Sequence, residues 1–380
     1  MTGATKSSRR SWLKAMGAAT AVAAFGGCGA ARPLDSRYTR PLSRKPFVAP
    51  RISEDRVIRA VTGLRPYRPS GFVVKGEKFD DKTVIHNYAH GGGGITLSWG
   101  SSALAVRETI GMEHRSAAVV GSGVMGLTTA RLLQDAGWQV TIYSRDPARH
   151  TTSNVAAGQW APTSVFDEEV ATDAFKSQFK WAAEIAHHAY TNLGGAEYGI
   201  RWLENYYLGL EPVERSYYLR ELPHLFASVA DLQPGEHPFP VPYVRRTVTM
   251  LIEPATFLRQ VNHDYLQAGG RFVIREFHDR AELLALAEPV IFNCTGLGAK
   301  ALFDDPELIP IKGQLLYLPP DPAVDYLTIG GGDGVLYMFS RSDALVLGGT
   351  WKTDDWSRHA EPVETQRILT EHQKLFSNFG

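Results

Sequence analysis

The sequence predicts an α/β fold, with a Rossmann-like domain built on a parallel sheet and an α+β domain built on an antiparallel sheet. Three observations predict it. The segment "SAAVVGSGVMGLTTARLLQDAGWQVTIYS" alternates strand, helix and strand, "PVIFNC" is typical of a strand buried on both faces, and "GQLLYL", "GVLYMFS" and "ALVLGGTW" are typical of antiparallel strands. With 380 residues, 44% of them hydrophobic, the chain is long enough for two domains.

The clearest unit is a strand, turn, helix and strand at residues 116–143. An apolar strand at 117–120 precedes "GSGVMG", and leucines and alanines then repeat at helical spacing as far as Gly137. A GxGxxG pattern in this position is typical of a dinucleotide-binding turn, whose glycines let a pyrophosphate approach the helix N-terminus. The residues expected at the phosphates are Gly121, Gly123, Val124, Met125 and Gly126.

The end of the second strand departs from that signature. An acid usually stands there and holds the ribose hydroxyls. Here Ser144 and Arg145 occupy the position and Asp146 follows. We expect Arg145 beside the cofactor, and the residue that holds the ribose is left open.

The remaining segments supply the rest of both domains. Residues 166–247 are rich in aromatic side chains and lack a glycine-rich phosphate loop, which predicts a substrate-side domain. Residues 256–270 predict a helix with a glycine stop, and 271–277 predict a strand. The segment "TQRILTEHQKLFSNF" predicts a closing amphipathic helix.

Composition excludes two classes of partner. The 40 basic and 40 acidic residues balance, so no net charge attracts the chain to nucleic acid or anionic lipid, and local groups must recognise a charged substrate. His86 and His90 are four positions apart without an accompanying cysteine or carboxylate cluster, so no metal is expected. Cys28 lies in the N-terminal segment, so an internal disulfide with Cys294 is not expected.

The first 28 residues predict an export signal. A polar start with Arg9 and Arg10 precedes a mildly apolar run at 15–27 that is too short to span a membrane stably. The segment resembles a twin-arginine signal with a lipoprotein-like box at Cys28. That predicts an exported protein of the periplasm or cell envelope, with membrane contact only through a lipid on that cysteine. The alternative is a disordered basic terminus and a short helix. Residues 29–51 predict a tether.

Seven segments together resemble the D-amino acid oxidase family of flavoproteins. They are "TGLRPYRP", "HNYAHGGGGITLSWG", "GSGVMGL", "HTTSNVAAGQWAP", "NCTGLGAKAL", "KGQLLYL" and "LVLGGTW", and they cover nearly all of residues 52–380. The resemblance implies FAD as the cofactor. It implies an FAD-binding domain at 85–165 and 248–312 and a substrate domain at 52–84, 166–247 and 313–380.

The order of these segments differs from the family's. In the family, segments like "TGLRPYRP" and "HNYAHGG" follow "LGGTW", whereas here they precede the dinucleotide-binding unit, which predicts a circular permutation. A helix over 95–111 would lead about 25 Å away from the glycine run. A turn at 112–115 and the strand at 116–120 would then return about 17 Å toward the phosphates. A truncated or mis-assembled gene is the alternative, but it would not supply every segment once.

Four consecutive glycines at 91–94 need a physical reason, because poly-glycine costs conformational entropy and packs nothing. The resemblance implies that they lie against the flavin ring. It also implies that the next helix directs its N-terminus at the pyrimidine edge, where N–H groups stabilise the charge of reduced flavin. The alternative is a flexible loop. The implied contacts are Gly91, Gly93, Gly94, Ile95 and Thr96 with the flavin, and the Gly92 carbonyl with the substrate amine.

The resemblance also implies a clamp for the substrate carboxylate. Arg65, in "GLRP", offers a planar fork that can form two parallel hydrogen bonds, and Tyr337 adds a hydroxyl. The alternatives are a surface arginine and a core tyrosine. Asp333 replaces a second family tyrosine, which favours basic substrates as a hypothesis. The other implied cofactor contacts are Thr152, Ser153, Ala157, Gly158, Gln159, Thr295 and Gly296.

The implied reaction is the oxidative deamination of free D-amino acids. Hydride leaves Cα for the flavin, the imino acid hydrolyses to keto acid and ammonia, and dioxygen, giving hydrogen peroxide, or a quinone accepts the electrons. Alternative substrates are glycine- or sarcosine-type amines and D-aspartate. The alternative from another class is a flavin-binding surface lipoprotein without turnover. A homodimer is compatible with the sequence.

Overall fold

The computed structural model describes residues 47–332, 336–377 and 379. From Ala49 onward the chain forms one compact unit. The strands are β1 (Arg59–Tyr67), β2 (Val73–Phe79), β3 (Lys82–Tyr88), β4 (Ser116–Val120), β5 (Gln139–Ser144), β6 (Ile200–Gly209), β7 (Ser228–Leu232), β8 (Tyr243–Ile252), β9 (Arg271–Ile274), β10 (Val290–Asn293), β11 (Ile309–Leu318), β12 (Tyr326–Gly330), β13 (Tyr337–Ser340), β14 (Leu345–Gly348) and β15 (Lys352–Thr353). The α-helices among the described residues are α1 (Gly94–Arg107), α2 (Val124–Asp135), α3 (Asp173–Leu193), α4 (Tyr217–Glu221), α5 (Pro254–Gln267), α6 (Arg280–Leu284), α7 (Ala299–Phe303) and α8 (Pro362–Phe376).

The predicted export signal and most of the predicted tether lie outside the described residues. Within the described part of the chain, no helix is long and apolar enough to cross a membrane.

A six-stranded sheet forms the Rossmann-like part of the molecule. Its order is β2-β3-β10-β4-β5-β9, and every neighbouring pair is parallel except the β2–β3 hairpin. The central strand β10 is fully buried, as an apolar run in a parallel sheet predicts. Helix α2 joins β4 to β5, which confirms the unit predicted from the glycine-rich turn.

Three strand ends meet at one edge of this sheet. Because β3, β4 and β10 are parallel, the residues that follow them, Ala89, Gly121 and Cys294, lie at the same edge. Strands β3 and β10 pair directly, although their residues His86 and Asn293 are 207 positions apart in the chain. The glycine run and the dinucleotide turn are therefore neighbours in space.

Helix α1 holds the glycine run at that edge. Gly100 lies so close to the Ala182 carbonyl of α3 that a Cβ would overlap it, so only glycine allows this approach. On its other side α1 meets α2 through a buried polar seam, where Asn87 Nδ2 donates to Ser102 Oγ and Thr129 Oγ1 at 3.1 Å each. Buried polar groups with partners fix the relative position of the helices.

A nine-stranded sheet forms the other part of the molecule. Its order is β1-β11-β14-β13-β12-β6-β8-β7, with β15 also paired to β11. All pairs are antiparallel except β12–β6, which confirms the antiparallel prediction for β11, β13 and β14. Gly63 lies opposite Gly313 on β1 and β11, and Tyr337 lies opposite Gly348 on β13 and β14. The alternation of side chains along strands puts Arg65 on the same face as these residues.

The strands divide between the sheets differently from the predicted domain ranges. Strand β2 belongs to the six-stranded sheet, although 52–84 is predicted as substrate domain, because it forms a hairpin with β3. Strand β8 belongs to the nine-stranded sheet, although 248–312 is predicted as FAD-binding, because all 10 of its residues pair with β6. A strand follows its hydrogen-bonding partner, and contiguous sequence ranges do not reveal that partner.

Candidate active site

A cavity of about 990 Å³ lies at the carboxyl edge of β3, β4 and β10 and reaches the nine-stranded sheet. This volume is at the upper end for small-molecule sites. The predicted site residues in its wall are Arg65, Gly91, Gly92, Gly94, Ile95, Thr96, Gly121, Gly123, Val124, Met125, Arg145, Thr152, Ser153, Ala157, Gly158, Gln159, Thr295, Gly296 and Tyr337. Gly93 and Gly126 do not line it; they face protein atoms instead. Asp333 lies outside the described residues.

The dinucleotide turn is built from backbone alone. Gly121 has a φ of 112°, which favours glycine, and a Cβ on Gly126 would overlap the Gly121 carbonyl oxygen. Gly123 is the N-cap of α2 and has no side chain to cap it. The Val124 N–H donates to Ser153 Oγ at 3.0 Å, which ties the turn to the segment after β5. The positive end of α2 therefore opens into the cavity, where it favours an anionic group.

Two acids stand beside Arg145 at the nucleotide end of the cavity. Arg145 Nε contacts Asp146 Oδ2 at 2.8 Å, and Arg145 Nη1 contacts Glu276 Oε1 at 3.3 Å. The hydrogen bond to Asp146 and the nearby Glu276 raise the pKa of Arg145 above its ordinary value. Glu276 was not predicted from the sequence. It follows β9, and the parallel β5–β9 pairing brings it to the place where an acid was expected.

Protein contacts account for part of the glycine run, in addition to the flavin contact that the family resemblance implies. Gly91 has a φ of 53°, and a Cβ on it would overlap the Ser164 carbonyl oxygen. The Gly92 N–H donates to that same oxygen at 2.9 Å. A Cβ on Gly93 would lie 2.5 Å from Val165 Cγ2. The segment at 163–165 that crosses the run therefore excludes a side chain at Gly91 and crowds Gly92 and Gly93, where a Cβ would have its nearest protein atoms at 3.0 Å and 2.5 Å.

Gly94 is the exception in that run. A Cβ there would have His90 Cβ at 3.9 Å and Met125 Cε at 4.0 Å as its nearest neighbours, which is ordinary contact. Gly94 is also the first residue of α1, and the N-cap before it carries no side chain. Thr96 Oγ1 donates to the Gln159 carbonyl at 3.2 Å and holds the start of the helix in the cavity wall. The N-terminus of α1 is thus a second helix end that opens into the cavity.

Two non-glycine residues of the cavity wall have left-handed backbone. Ala89 has a φ of 71° and Ser164 a φ of 55°. Such conformations cost of order 1–3 kcal/mol and cluster at functional sites. Here the pair flanks the contact between the glycine run and the segment that crosses it.

The titratable groups near the strand ends are neutral or already paired. His90 stacks on Phe72 with 4.7 Å between ring centroids, and burial lowers its pKa to about 3. The His86 ring bonds the Glu77 carboxylate at 3.0 Å. Burial raises the pKa of the Cys294 thiol to about 12, so it is a neutral core residue and not a nucleophile. Among the described residues, no group of three or more side chains could hold a metal ion.

A guanidinium and a phenol meet on the face of the nine-stranded sheet. Arg65 Nη2 donates to the Tyr337 hydroxyl at 3.2 Å, and Arg65 Cζ lies 5.5 Å from the centroid of the Trp351 ring. Gly313 lies directly against the Arg65 guanidinium and Gly348 against the Tyr337 ring, since a Cβ on either glycine would overlap them. Arg65 Nη1 is buried without a hydrogen-bond partner. An unpaired donor of this kind implies a missing acceptor.

The sequence reasoning missed Trp351 and Gly313 as parts of this arrangement. Both lie in quoted motifs, "LGGTW" and "KGQLLYL", so the motifs contained the signal. Their contacts with Arg65 depend on the β1–β11 register, which the sequence alone does not give.

The Rossmann-like turn in the wall of a large cavity is typical of an enzyme with a dinucleotide cofactor and a small-molecule substrate. The chain belongs to the family described as DAO, FAD dependent oxidoreductase, whose sequence model matches residues 116–380. It is an FAD-dependent oxidoreductase of the amino acid oxidase family.

Relatives in sequence and structure agree with this family. A D-amino-acid oxidase of Streptomyces coelicolor is 34% identical over 257 residues, 66% of this chain and 74% of the relative. The human D-aspartate oxidase is 27% identical over 265 residues, 68% of this chain and 75% of the relative. The glycine oxidase of Geobacillus kaustophilus has the same fold, with a TM-score of 0.53 at 16% identity over 69% of this chain and 78% of that structure.

The wall of the cavity fits FAD. The side-chain-free turn at Gly121 and Gly123 and the N-terminus of α2, whose N-cap residue has no side chain, suit a pyrophosphate. The Arg65 guanidinium lines the same cavity, and its Nη1 is buried without a hydrogen-bond partner, so a further anionic group in the cavity would have a cation to pair with.

Proposed function

We propose that this protein catalyses the oxidative deamination of free D-amino acids. The observation that carries the proposal is the Arg65–Tyr337 pair, with an unpaired guanidinium nitrogen in the wall of the FAD cavity. A planar guanidinium and a phenol together suit an α-carboxylate, because they offer two or three converging donors. FAD supplies hydride acceptance when it is bound.

In this proposal the chain's own residues bind and orient the substrate. Arg65 and Tyr337 hold the carboxylate, and the Gly92 carbonyl accepts from the neutral amine. The acids in the described cavity wall, Asp146 and Glu276, both stand beside Arg145 at the nucleotide end. No described carboxylate is therefore placed to remove a proton near Arg65, which supports hydride transfer without a protein base.

Roles at the cofactor follow the same geometry. Gly121 and Gly123 would face the pyrophosphate, with Ser153 holding the turn, and Glu276 or Asp146 would face the ribose hydroxyls. The start of α1, at Gly94 and beyond, would direct its N–H groups at the flavin ring. The remaining wall residues named above complete the enclosure.

Anaerobic addition of amino acids to the purified, yellow protein tests the proposal. We expect D-isomers, and not their L-forms, to bleach the flavin absorbance. Arg65→Ala should keep the yellow colour and lose the bleaching at substrate concentrations that saturate the wild type. Bleaching by no D-amino acid would favour the non-catalytic flavin-binding alternative, and retained turnover in Arg65→Ala would refute the role of that residue.

We propose dioxygen as the electron acceptor. The support is the oxidase family to which the chain belongs. Stoichiometric hydrogen peroxide in air-saturated buffer is the expected result. Turnover that needs a quinone and yields no peroxide would assign a dehydrogenase instead.

A D-dicarboxylate is the second candidate substrate, and Arg358 is the observation that favours it. Arg358 lines the same cavity as Arg65, and its backbone carbonyl is held by Thr62 Oγ1 at 2.5 Å. A second guanidinium in the wall suits a second carboxylate. If D-aspartate is the substrate, kcat/KM for D-aspartate should exceed that for D-alanine and fall in Arg358→Ala. Glycine and sarcosine belong in the same panel.

We also propose that the gene is circularly permuted. The family's sequence model begins at residue 116, yet residues before it supply β1, β2, β3 and α1 to the two sheets. Gln373 of α8 donates to the Ile52 carbonyl at 3.1 Å, so the two ends of the compact unit are close enough to be joined. A gene that places residues 49–115 after 379 should yield a yellow, folded enzyme. Failure of that rearranged chain to bind FAD would count against permutation.

Export is proposed from the N-terminal sequence alone. Arg9 and Arg10 ahead of an apolar run, and the box at Cys28, support a twin-arginine lipoprotein signal. Cell fractionation should place the protein in the envelope. Arg9→Lys with Arg10→Lys should retain it in the cytoplasm, and unchanged location in that variant would remove the proposal.

A further inference from the structure

Two lysines of the nine-stranded sheet share a single carboxylate. Glu361 Oε1 accepts from Lys312 Nζ at 2.8 Å, and Glu361 Oε2 accepts from Lys352 Nζ at 2.6 Å. Lys312 is 2% exposed, and its ammonium also contacts Ser357 Oγ at 2.6 Å and Asp355 Oδ2 at 3.2 Å. The hydrogen bonds from both lysines hold the pKa of the Glu361 carboxyl below its ordinary value.

Each of these lysines is next in the chain to a residue that touches the Arg65 guanidinium. Lys312 precedes Gly313, where a Cβ would lie 2.5 Å from Arg65 Nη1 and 2.7 Å from Nη2. Lys352 follows Trp351, whose ring centroid is 5.5 Å from Arg65 Cζ. Because side chains alternate along a strand, Lys312 points to the face of β11 opposite Arg65. Glu361 thus joins, from behind the sheet, the two backbone segments that hold the guanidinium.

The backbone of Glu361 is itself fixed to the sheet. The Glu361 backbone N–H donates to Gln314 Oε1 at 2.7 Å, and Gln314 Nε2 donates to the Glu361 carbonyl at 3.1 Å. Residue 361 immediately precedes α8, so the start of that helix is tied to β11 by backbone and side chain together. The backbone that carries the carboxylate is therefore held in place, and the hydrogen bonds from the two lysines position the carboxylate itself.

We propose that Glu361 is a positioning residue for the substrate-carboxylate clamp, acting through Lys312 and Lys352 on Gly313 and Trp351. This inference rests on the proposed role of Arg65 in binding the substrate carboxylate. Removing the charge of Glu361 takes away the carboxylate that the two ammonium groups share. Lys312 then keeps Asp355 and Ser357, Lys352 keeps Glu364, and each lysine shifts toward its remaining partners. Movement of Gly313 or Trp351 shifts the guanidinium, and small displacements of a binding group weaken a complex strongly.

The test compares Glu361→Gln with Glu364→Gln in the FAD-loaded protein. Glu364 is a matched control, because it contacts Lys352 at 3.5 Å and Arg367 at 2.9 Å, and no contact joins it to Lys312 in the described structure. Acetate serves as the probe in an absorbance titration of the flavin. It has a carboxylate but no amine, so it can bind and is not oxidatively deaminated. We expect the acetate Kd and the KM for a D-amino acid to rise about tenfold in Glu361→Gln. Both should change less than twofold in Glu364→Gln, while kcat and the FAD content stay near wild type in both variants.

A second variant covers the case in which Glu361→Gln does not fold. Lys352→Met removes the partly exposed lysine and leaves the buried Lys312–Glu361 pair intact. It should raise the same two constants through Trp351, and the conservative Lys352→Arg should restore them toward wild type.

Arg65→Ala, measured beside these variants, separates the two proposals. If Arg65→Ala weakens acetate binding and neither Glu361→Gln nor Lys352→Met does, the inference about Glu361 is overturned and the proposed clamp stands. If Arg65→Ala leaves acetate binding unchanged, the proposed clamp fails and the inference fails with it. Parallel weakening in all three supports both.

Discussion

The Arg65 guanidinium and the Tyr337 hydroxyl are 3.2 Å apart, although the two residues are 272 positions apart in the chain. Three strand pairings make this contact: β1 with β11, β11 with β14, and β14 with β13. Gly313 lies under the Arg65 guanidinium and Gly348 under the Tyr337 ring, so the sheet surface beneath the two side chains, here called the floor, carries no Cβ atom at these positions. The proposed clamp therefore depends on the register of the sheet as much as on the two residues that form it.

Tyr337→Phe removes one hydrogen-bond donor from the clamp and leaves the ring in place. A hydrogen bond to a charged group contributes about 1.5–3 kcal/mol, so kcat/KM for a D-amino acid should fall roughly 10- to 100-fold. Steady-state kinetics with unchanged FAD content check this. Tyr143→Phe is the matched control, because the Tyr143 hydroxyl donates to Glu288 outside the cavity wall. Equal kinetics in wild type and Tyr337→Phe would remove Tyr337 from the clamp.

Gly313→Ala should disable the clamp without unfolding the protein. The new Cβ would lie 2.5 Å from Arg65 Nη1, so the guanidinium must move from its position beside Tyr337. We expect loss of carboxylate binding in a flavin titration, with FAD still bound. Gly76→Ala, on β2, is the control, since its Cβ would meet only Glu108 Oε2 at 3.4 Å. Carboxylate affinity at the wild-type level in Gly313→Ala would show that the guanidinium does not need this floor.

The glycine run should respond differently at its first and last positions. Gly91→Ala forces a Cβ onto the Ser164 carbonyl at a φ of 53° and should lower the free energy of unfolding by about 1–3 kcal/mol. Gly94→Ala meets only ordinary contacts in the protein and should leave stability within about 1 kcal/mol, while weakening FAD binding. Urea unfolding and FAD titration of both variants check this. Equal loss of stability in the two would mean that the segment at 164 does not explain Gly91.

His372 makes stability depend on pH. Its two ring nitrogens lie 2.8 Å from the Ile368 carbonyl and 3.2 Å from the Tyr337 carbonyl, the neutral ring donates to one of them, and burial lowers its pKa to about 4. The ordinary value is about 6.5, so between these limits the unfolded chain binds more protons than the folded one. The stability that the neutral His372 ring contributes should therefore be fully present above pH 6.5 and should be lost as the pH falls toward 4.

Comparison of wild type with His372→Phe isolates this contribution. From pH 7 to pH 5, the free energy of unfolding should drop by about 2 kcal/mol more in the wild type than in the variant. Urea unfolding at both pH values, with FAD in excess, provides the measurement. The same drop in both proteins would show that His372 does not titrate as described.

Local patterns predicted much of the fold and of the cavity wall. The glycine-rich turn, the buried strand at β10 and the antiparallel strands β11, β13 and β14 each carry their signal within a few consecutive residues. Apolar runs and turn glycines reflect local backbone preferences, and the folded structure keeps these preferences. Arg65, Tyr337 and most of the predicted cofactor residues, which the family resemblance supplied, line one cavity.

Features that depend on pairing between distant segments were not predictable. Glu276 faces the cavity because β9 pairs with β5, and β2 joins the six-stranded sheet because it pairs with β3. The close contacts of the glycines at 91–93 come from a segment some seventy positions later in the chain. No local sequence pattern identifies that segment. Strand register and contacts between distant segments depend on the whole chain, whereas periodicity can be read from a few consecutive residues.

The most direct test of the account is a crystal structure of the FAD-loaded protein with bound acetate or a slow carboxylate substrate analogue. The account predicts the carboxylate between Arg65 and Tyr337, the flavin ring beside Gly94 and Thr96, and the pyrophosphate at Gly121 and Gly123. A carboxylate bound elsewhere, or a flavin remote from the start of α1, would contradict it.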